Sequence, residues 1–126
     1  MKKTLTLLFI FLCVVILFSC SREELNYIIN GNNIQAIFGQ WKATSDGPYY
    51  IFEKEEGVLM FAYKENNSVP FVECGNFTAE GSQIVLHTTM LDFLGYPPTY
   101  VDTYRTIICY RRGSNLVIDG VVFTQY

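Results

Sequence analysis

The sequence of 126 residues carries nine Lys and Arg against twelve Asp and Glu, giving a formal net charge of −3, and half of its residues are hydrophobic. A chain of this length fits a single domain. The only close basic cluster is Arg105, Arg111 and Arg112. The composition therefore argues against a nucleic-acid-binding surface, which needs many clustered cations.

The N-terminal segment has the pattern of a secretory signal. Lys2 and Lys3 precede an unbroken apolar run of twelve residues at 7–18. Such a run fits the signal-peptide range of about 7–15 residues and is shorter than the roughly 20 residues that span a bilayer. The run ends in Leu17-Phe18-Ser19-Cys20, a tetrapeptide that resembles the lipobox of bacterial lipoproteins.

This resemblance implies that residues 1–19 are removed as a signal peptide and that Cys20 becomes a new N-terminus carrying acyl chains such as palmitate. Two or more such chains anchor a protein stably. The alternatives are a cleaved soluble protein and a retained membrane helix. The following Arg22-Glu23-Glu24 looks like the acidic tag with which one large group of Gram-negative bacteria exports lipoproteins. We therefore expect a lipid-anchored protein of the cell outer membrane, facing the cell surface or the periplasm.

Residues 20–33 are predicted to form a flexible tether between the lipid and the folded domain. This stretch is rich in asparagine around Gly31 and has little apolar surface to bury. Segments of that composition favour turns and linkers over packed elements. The remaining residues, 34–126, are predicted to form one folded domain.

Apolar alternation with a period of two residues dominates the chain from residue 39 onward, which is typical of β-strands. Turn dipeptides such as Glu56-Gly57, Glu80-Gly81 and Asp119-Gly120 separate the strand-like runs. The pattern predicts up to eight strands, near 39–45, 48–54, 57–63, 70–78, 82–90, 100–111, 115–119 and 121–126. We expect an all-β fold in which a small up-and-down antiparallel meander closes into a barrel.

Ahead of the first predicted strand, Ile34, Ile37 and Phe38 are spaced as in a helical turn. This turn leads into Gly39-Gln40-Trp41 at the head of the meander. The order of these features resembles the lipocalin and lipocalin-like families. The resemblance implies a barrel of roughly eight strands in which Trp41 packs across the closed end and Gly39 lets the chain bend into the strand. It also implies an Arg stacked on Trp41, a role open to Arg105, Arg111 or Arg112.

Catalytic and metal-binding patterns are weak. His87 is the only histidine, and no Cys-x-x-Cys or calcium-loop spacing occurs. Glu53, Glu55 and Glu56 cluster at a predicted hairpin turn, where solvated carboxylates are expected rather than an acid–base pair. We therefore predict no enzyme activity, no cofactor and no metal.

Two cysteines remain once the signal is removed and Cys20 is lipidated. Cys74 and Cys109 form an even pair in an oxidising compartment, where disulfides persist. A bridge requires barrel curvature or packing across the core, because the two strands are not neighbours in a meander. The alternatives are this disulfide and two buried free thiols.

The segment 90–99 is the strongest candidate for a binding element, since a loop of this length at a barrel mouth serves as a lid or a contact surface. The alternative is a loop that folds inward and plugs its own barrel. The candidate residues for a ligand or a partner are Met90, Leu91, Phe93, Leu94, Tyr96 and Tyr104.

Two functions follow from these features. The first is a lipid-anchored, non-catalytic binding protein that holds a small apolar or aromatic ligand near Trp41, Tyr104 and segment 90–99. The alternative is a barrel filled by its own side chains, acting as a protein-interaction or inhibitor-like module of the outer membrane surface. An open interior favours the first function, whereas a filled interior with an exposed Phe93 or Tyr96 favours the second.

Overall fold

The computed structural model describes residues 26–126. The predicted signal peptide and the lipidation site Cys20 lie outside the described residues. Within residues 26–126, the only helical element is one short 3-10 turn, and no helix is long and apolar enough to cross a membrane.

The described part of the chain contains ten strands, and every pair of neighbouring strands is antiparallel. The 3-10 turn, Ile34–Ile37, lies between the first two strands, as the helical spacing of its isoleucines predicts. The strands are β1 Asn26–Ile28, β2 Gly39–Lys42, β3 Tyr49–Glu55, β4 Val58–Lys64, β5 Phe71–Glu80, β6 Gln83–Phe93, β7 Thr99–Ile107, β8 Cys109–Arg112, β9 Asn115–Ile118 and β10 Val121–Gln125.

The strands form one curled sheet in the order β1-β8-β9-β10-β2-β3-β4-β5-β6-β7. Strands β2 to β7 are a continuous meander, and β10 pairs with β2 to join β8–β10 to it. Only Ile108 separates β7 from β8. One continuous chain segment therefore supplies both the edge strand β7 and the strand β8, which is second from the opposite edge of the sheet. The expected all-β, barrel-like fold is confirmed, and the predicted strand at 100–111 corresponds to β7 and β8.

The two ends of the curled sheet are closed to different degrees. We call the end beside the 3-10 turn the closed end, because the turn lies beneath the start of β2. The opposite end, which we call the mouth, carries the turns at 43–48, 65–70 and 94–98. This assignment follows from the antiparallel register of β2 to β7.

The structured part of the chain begins earlier than the composition predicts. Strand β1 pairs with β8, and Ile29 after it is fully buried. The Asn33 side chain accepts a hydrogen bond from the Asn30 N–H at 2.7 Å and donates one to the Ile28 carbonyl at 2.9 Å. The expectation of a flexible tether through residue 33 is therefore wrong from Asn26 onward, because the asparagines build a hydrogen-bonded turn rather than a linker.

Bulges in β6 change which side chains face the core. Ile84, Leu86 and Thr88 alternate inward and are buried, as the period predicts. Thr89 is then skipped in the pairing with β5 and with β7, so that Met90 pairs with Cys74 on the outer face. An uninterrupted alternation would place Met90 in the inward series after Thr88, and the bulge is the reason that Met90 lies on the outer face instead.

Gly75 holds β5 against β6 at this bulge. A Cβ atom at Gly75 would collide with the carbonyl oxygen of His87. The two backbones therefore approach at a distance that only glycine allows.

Aromatic rings fill the interior of the sheet. Tyr50 lies 5.2 Å from Phe52 and 5.5 Å from Phe123 between ring centroids, and Phe52 lies 5.4 Å from Phe77. All four side chains are buried. Ring contacts at these separations are favourable beyond the area that they bury, so the centre of the domain is a packed core of its own side chains.

Candidate functional site

The closed end is built around Trp41, which is fully buried. Its indole Nε1 donates a hydrogen bond to the Ile37 carbonyl at 2.8 Å, which ties β2 to the 3-10 turn. The guanidinium of Arg111 lies 5.2 Å from the indole ring and donates a hydrogen bond to the Ala36 carbonyl at 2.8 Å. Of the three arginines left open by the sequence, Arg111 is the one on Trp41, and this arrangement is structural.

Gly39 starts β2 with a φ of +134°, a conformation that glycine adopts readily and side-chain-bearing residues rarely do. The Gln125 side chain lies close to the position that a Cβ atom would take. Gly39 and Trp41 therefore act together in starting the first strand of the meander.

Near the mouth, the inner face carries a polar group that sequence reasoning did not single out as a site. Arg105 Nη1 donates a hydrogen bond to the Tyr50 hydroxyl at 2.9 Å, and the guanidinium lies 4.6 Å from the Tyr63 ring. Glu73 Oε2 lies 3.8 Å from Arg105 Nη2. We call Tyr50, Tyr63, Glu73 and Arg105 the Arg105 cluster.

Burial and the positive charge of Arg105 are the main influences on the pKa values of the two tyrosines in the Arg105 cluster. Burial raises the pKa of Tyr50 to about 12, and the nearby Arg105 opposes that rise in pKa. Burial also raises the pKa of Tyr63. The ion pair between Arg105 and Glu73 is weak, because it is long and both side chains are partly exposed. A signal for this cluster was present in the sequence, since Arg105 shares its strand phase with Ile107 and Cys109.

Half of the segment 90–99 is strand rather than loop. β6 runs to Phe93 and β7 begins at Thr99, so that only the turn 94–98 joins them. The Tyr96 N–H donates a hydrogen bond to the Phe93 carbonyl at 2.9 Å, which closes the turn. The expectation of a long loop is wrong, because the pairing of β5, β6 and β7 continues past the bulge toward the mouth. We call this turn, 94–98, the hairpin tip.

The six candidate binding residues are divided among three places. Leu91 and Phe93 lie on the inner face of β6, opposite Glu73 and Phe71. Leu94 and Tyr96 project from the hairpin tip, with 76% and 75% of their surface exposed. Met90 lies on the outer face.

Tyr104 also lies on the outer face, far from any contact with Trp41. It is 67% exposed and stacks on the His87 ring with 4.2 Å between centroids. The structure therefore does not bring Tyr104 together with Trp41.

His87 has a carboxylate partner but no cleft around it. Its Nε2 lies 2.6 Å from Asp102 Oδ1, and the Asp102 side chain is 79% exposed. Such a solvated pair on an open sheet face does not define a catalytic constellation.

Cys74 and Cys109 are both free thiols. Cys109 is buried in the core, whereas Cys74 lies on the outer face beside Met90. Of the two alternatives, the structure has free thiols rather than a disulfide, because the two side chains point to opposite faces of the sheet, and only Cys109 is fully buried. Burial raises the pKa of Cys109 to about 12, and the Asp119 carboxylate adds to this rise in pKa.

Two hollows lie on the outer face of the sheet. One, of about 290 Å³, lies over β3–β5 and is bordered by Tyr49, Ile51 and Tyr126. The other, of about 380 Å³, lies over β4–β7 and is bordered by Met60, Cys74 and Met90. Among residues 26–126, no group of three or more His, Cys, Asp or Glu side chains is placed to hold a metal ion.

Comparison with family models, with curated proteins and with solved structures finds no match to this chain. The structural grounds for a function are therefore the filled core, the Arg105 cluster, the hairpin tip and the outer hollows.

Proposed function

We propose that this chain is a lipid-anchored, non-catalytic protein of the outer membrane surface that binds a protein partner through the hairpin tip. The observation that carries this proposal is the exposure of Leu94 and Tyr96 at the end of a paired hairpin, above a core that is already filled. Large apolar and aromatic side chains displayed on a rigid element are typical anchors of protein interfaces.

The hairpin tip and Asn26, the first described residue, lie at opposite ends of the sheet, which supports this role. Asn26 pairs with Arg112 at the end of β8, whereas the hairpin tip precedes Thr99 at the start of β7. Thirteen residue steps separate Thr99 from Arg112, which at about 3.3 Å per step amounts to roughly 40 Å of strand.

A lipidated Cys20 would place the closed end toward the membrane. Six residue steps separate Cys20 from Asn26, and at about 3.6 Å each they span at most roughly 22 Å. This is shorter than the strand length between Asn26 and the hairpin tip. The hairpin tip would thus point away from the bilayer, where a partner can reach it.

Site-specific photocrosslinking of the full chain in its host membrane tests the proposed function. We expect p-benzoylphenylalanine in place of Tyr96 to give one discrete protein adduct, and the adduct to disappear when Leu94→Asp is added. The matched control carries the same photoreactive group in place of Glu56, an exposed turn residue at the closed end. No adduct at position 96, or an equal adduct at position 56, would overturn the proposal.

The lipid anchor has its own test. Cys20→Ala should move the full chain from the membrane fraction to the soluble or unprocessed fraction, because acyl chains can no longer be attached. Mass spectrometry of the Cys20 peptide should show the acyl chains directly. An unmodified Cys20 peptide in membrane-bound protein would contradict the lipoprotein assignment.

A second candidate function is the binding of a small apolar or aromatic ligand, and the Arg105 cluster favours it. A guanidinium beside two aromatic rings on the inner face suits a small aromatic or apolar compound that carries a carboxylate. Native mass spectrometry of the full chain, purified gently from its host, should then show a stoichiometric ligand that Arg105→Ala removes and Arg112→Ala does not. A bare protein, even after incubation with lipids and aromatic acids, would exclude this function.

A further inference from the structure

Three of the four sulfur-bearing side chains among residues 26–126 lie at one place on the outer face of the sheet. The sequence has three methionines, and the two that follow Met1 are Met60 and Met90. Both border the hollow of about 380 Å³, and Cys74 lies between them. The domain's other described thiol, Cys109, is buried in the core.

The strand register explains how these three residues meet. Cys74 on β5 is the direct partner of Met90 on β6 and of Ala62 on β4. Met60 pairs with Asn76, so it is the diagonal neighbour of Cys74. Direct partners have Cβ atoms about 4.5–5.5 Å apart and diagonal neighbours about 7–8 Å, within reach of long flexible side chains. Each methionine has three rotatable bonds with which to bring its sulfur toward the thiol.

The bulge at Thr89 is what puts Met90 into this group. Without it, Met90 would continue the inward series of Leu86 and Thr88 and lie in the core. Gly75, next to Cys74, permits the close approach of β5 to β6 at that point. Bulges frequently redirect a side chain beside a functional site.

We propose that Met60, Cys74 and Met90 bind a soft monovalent metal ion, Cu(I), for which Ag(I) is a redox-inert equivalent. One thiolate and two thioethers are the ligands that such ions prefer, whereas carboxylates and imidazoles suit harder ions. Binding breaks the S–H bond of Cys74 and forms a sulfur–metal bond, and the proton passes to solvent. No change in oxidation state is involved.

The site has an entry path from solvent. Met60 is 37% exposed, and the Cys74 and Met90 side chains are half-buried beside the hollow. None of the three proposed ligands belongs to the hairpin tip. The photocrosslinking experiment can therefore fail while metal binding is observed, and metal binding can fail while the partner adduct is observed.

Competition of the full chain with a chromogenic Cu(I) chelator, in detergent and without oxygen, tests the site. We expect Cys74→Ser to abolish one bound Cu(I) per chain. We expect the double variant Met60→Leu with Met90→Leu to weaken binding by more than about 10-fold, since even an outer-shell partner contributes that much. Metal bound at Cys109, or at Cys20 in chains that are not acylated, is common to all variants and cancels in the comparison.

The controls separate the metal site from general effects on the fold. Methionine-to-leucine changes nearly conserve volume, and circular dichroism checks that each variant is folded. Tyr100→Phe, which also borders the hollow but carries no sulfur, should bind Cu(I) like the unmodified chain. Native mass spectrometry with Ag(I) should show one silver ion gained for one proton lost. Equal Cu(I) affinity in the double methionine variant, or unchanged binding in Cys74→Ser, would overturn the proposal.

Discussion

Arg111 and Trp41 join two strands that are not neighbours in the sheet. The guanidinium of Arg111 on β8 lies 5.2 Å from the indole of Trp41 on β2, although β9 and β10 lie between these strands. The same guanidinium donates hydrogen bonds to the carbonyls of Ala36 and Gly113. One side chain therefore connects the 3-10 turn, the β8–β9 turn and the first strand of the meander.

The first prediction concerns the coupling between these two residues. In a double-mutant cycle of Trp41→Leu and Arg111→Met, we expect an interaction free energy of about 1–2 kcal/mol, as for a cation–π contact with a partly buried guanidinium. Urea unfolding followed by circular dichroism measures it. Arg112→Met is the matched control, because Arg112 contacts the Tyr110 ring at an exposed position, and it should change the free energy of unfolding by less than about 0.5 kcal/mol. Simple additivity of the two variants would contradict this coupling.

The alternation of apolar residues was sufficient to locate strands β2 to β10, with β7 and β8 predicted as one strand, because most of these strands bury one face. It was also sufficient to place Arg105, Ile107 and Cys109 on one side of their strand. Alternation cannot show where the phase slips, since a bulge leaves no composition signal. For that reason the sequence does not show that Met90 lies on the outer face, and it predicts a loop at 90–99 where β6 continues to Phe93.

The second prediction tests the close approach at Gly75. Gly75→Ala should lower the free energy of unfolding by roughly 3 kcal/mol or more, because the added methyl group must displace the backbone of β6. Gly57→Ala is the control, because a Cβ atom at Gly57 would meet no atom within 4 Å. The φ of +81° at Gly57 disfavours alanine, so this variant should lower the free energy of unfolding by about 1–2 kcal/mol. Chemical denaturation of both variants measures the difference, and equal losses would show that β6 yields to the methyl group.

The sequence alone also does not predict strand β1, nor which of the three arginines contacts Trp41. The asparagines before Ile34 are common in linkers, and only the packing of Ile29 shows that they form a turn against the core. Likewise, the sequence does not distinguish among Arg105, Arg111 and Arg112, and the register of β8 with β9 and β1 places Arg111 on Trp41.

The third prediction compares two adjacent isoleucines in this N-terminal segment. Ile29→Ala should lower the free energy of unfolding by about 2–5 kcal/mol, since Ile29 is fully buried and its truncation leaves a cavity. Ile28→Ala should lower it by no more than about 0.5 kcal/mol, because Ile28 is 55% exposed. Urea unfolding of the pair measures both changes, and a similar small effect for the two would mean that the segment behaves as a tether after all.

The fourth prediction is a loss of stability in alkali that depends on Cys109. Burial, with a contribution from Asp119, raises the pKa of this thiol from 9.0 to about 12 in the folded chain. Above pH 9 the unfolded chain releases the thiol proton while the folded chain keeps it. The stabilisation is therefore fully present below pH 9 and is lost as the pH rises toward 12, with a slope of up to about 1.4 kcal/mol per pH unit.

Urea unfolding between pH 8 and 10.5 should show this decline in the unmodified chain and a shallower one in Cys109→Ala. Tyr50, whose pKa is also raised to about 12 mainly by burial, titrates in the unfolded chain only near pH 10, so its contribution appears later. Cys109 is the smallest of the causes of that rise in pKa, so the Tyr50 contribution changes little in Cys109→Ala. Cys74→Ala is the matched control, because Cys74 is only half-buried and its removal should change the slope less. An unchanged slope in Cys109→Ala would mean that the buried thiol ionises in the folded chain as readily as in the unfolded one.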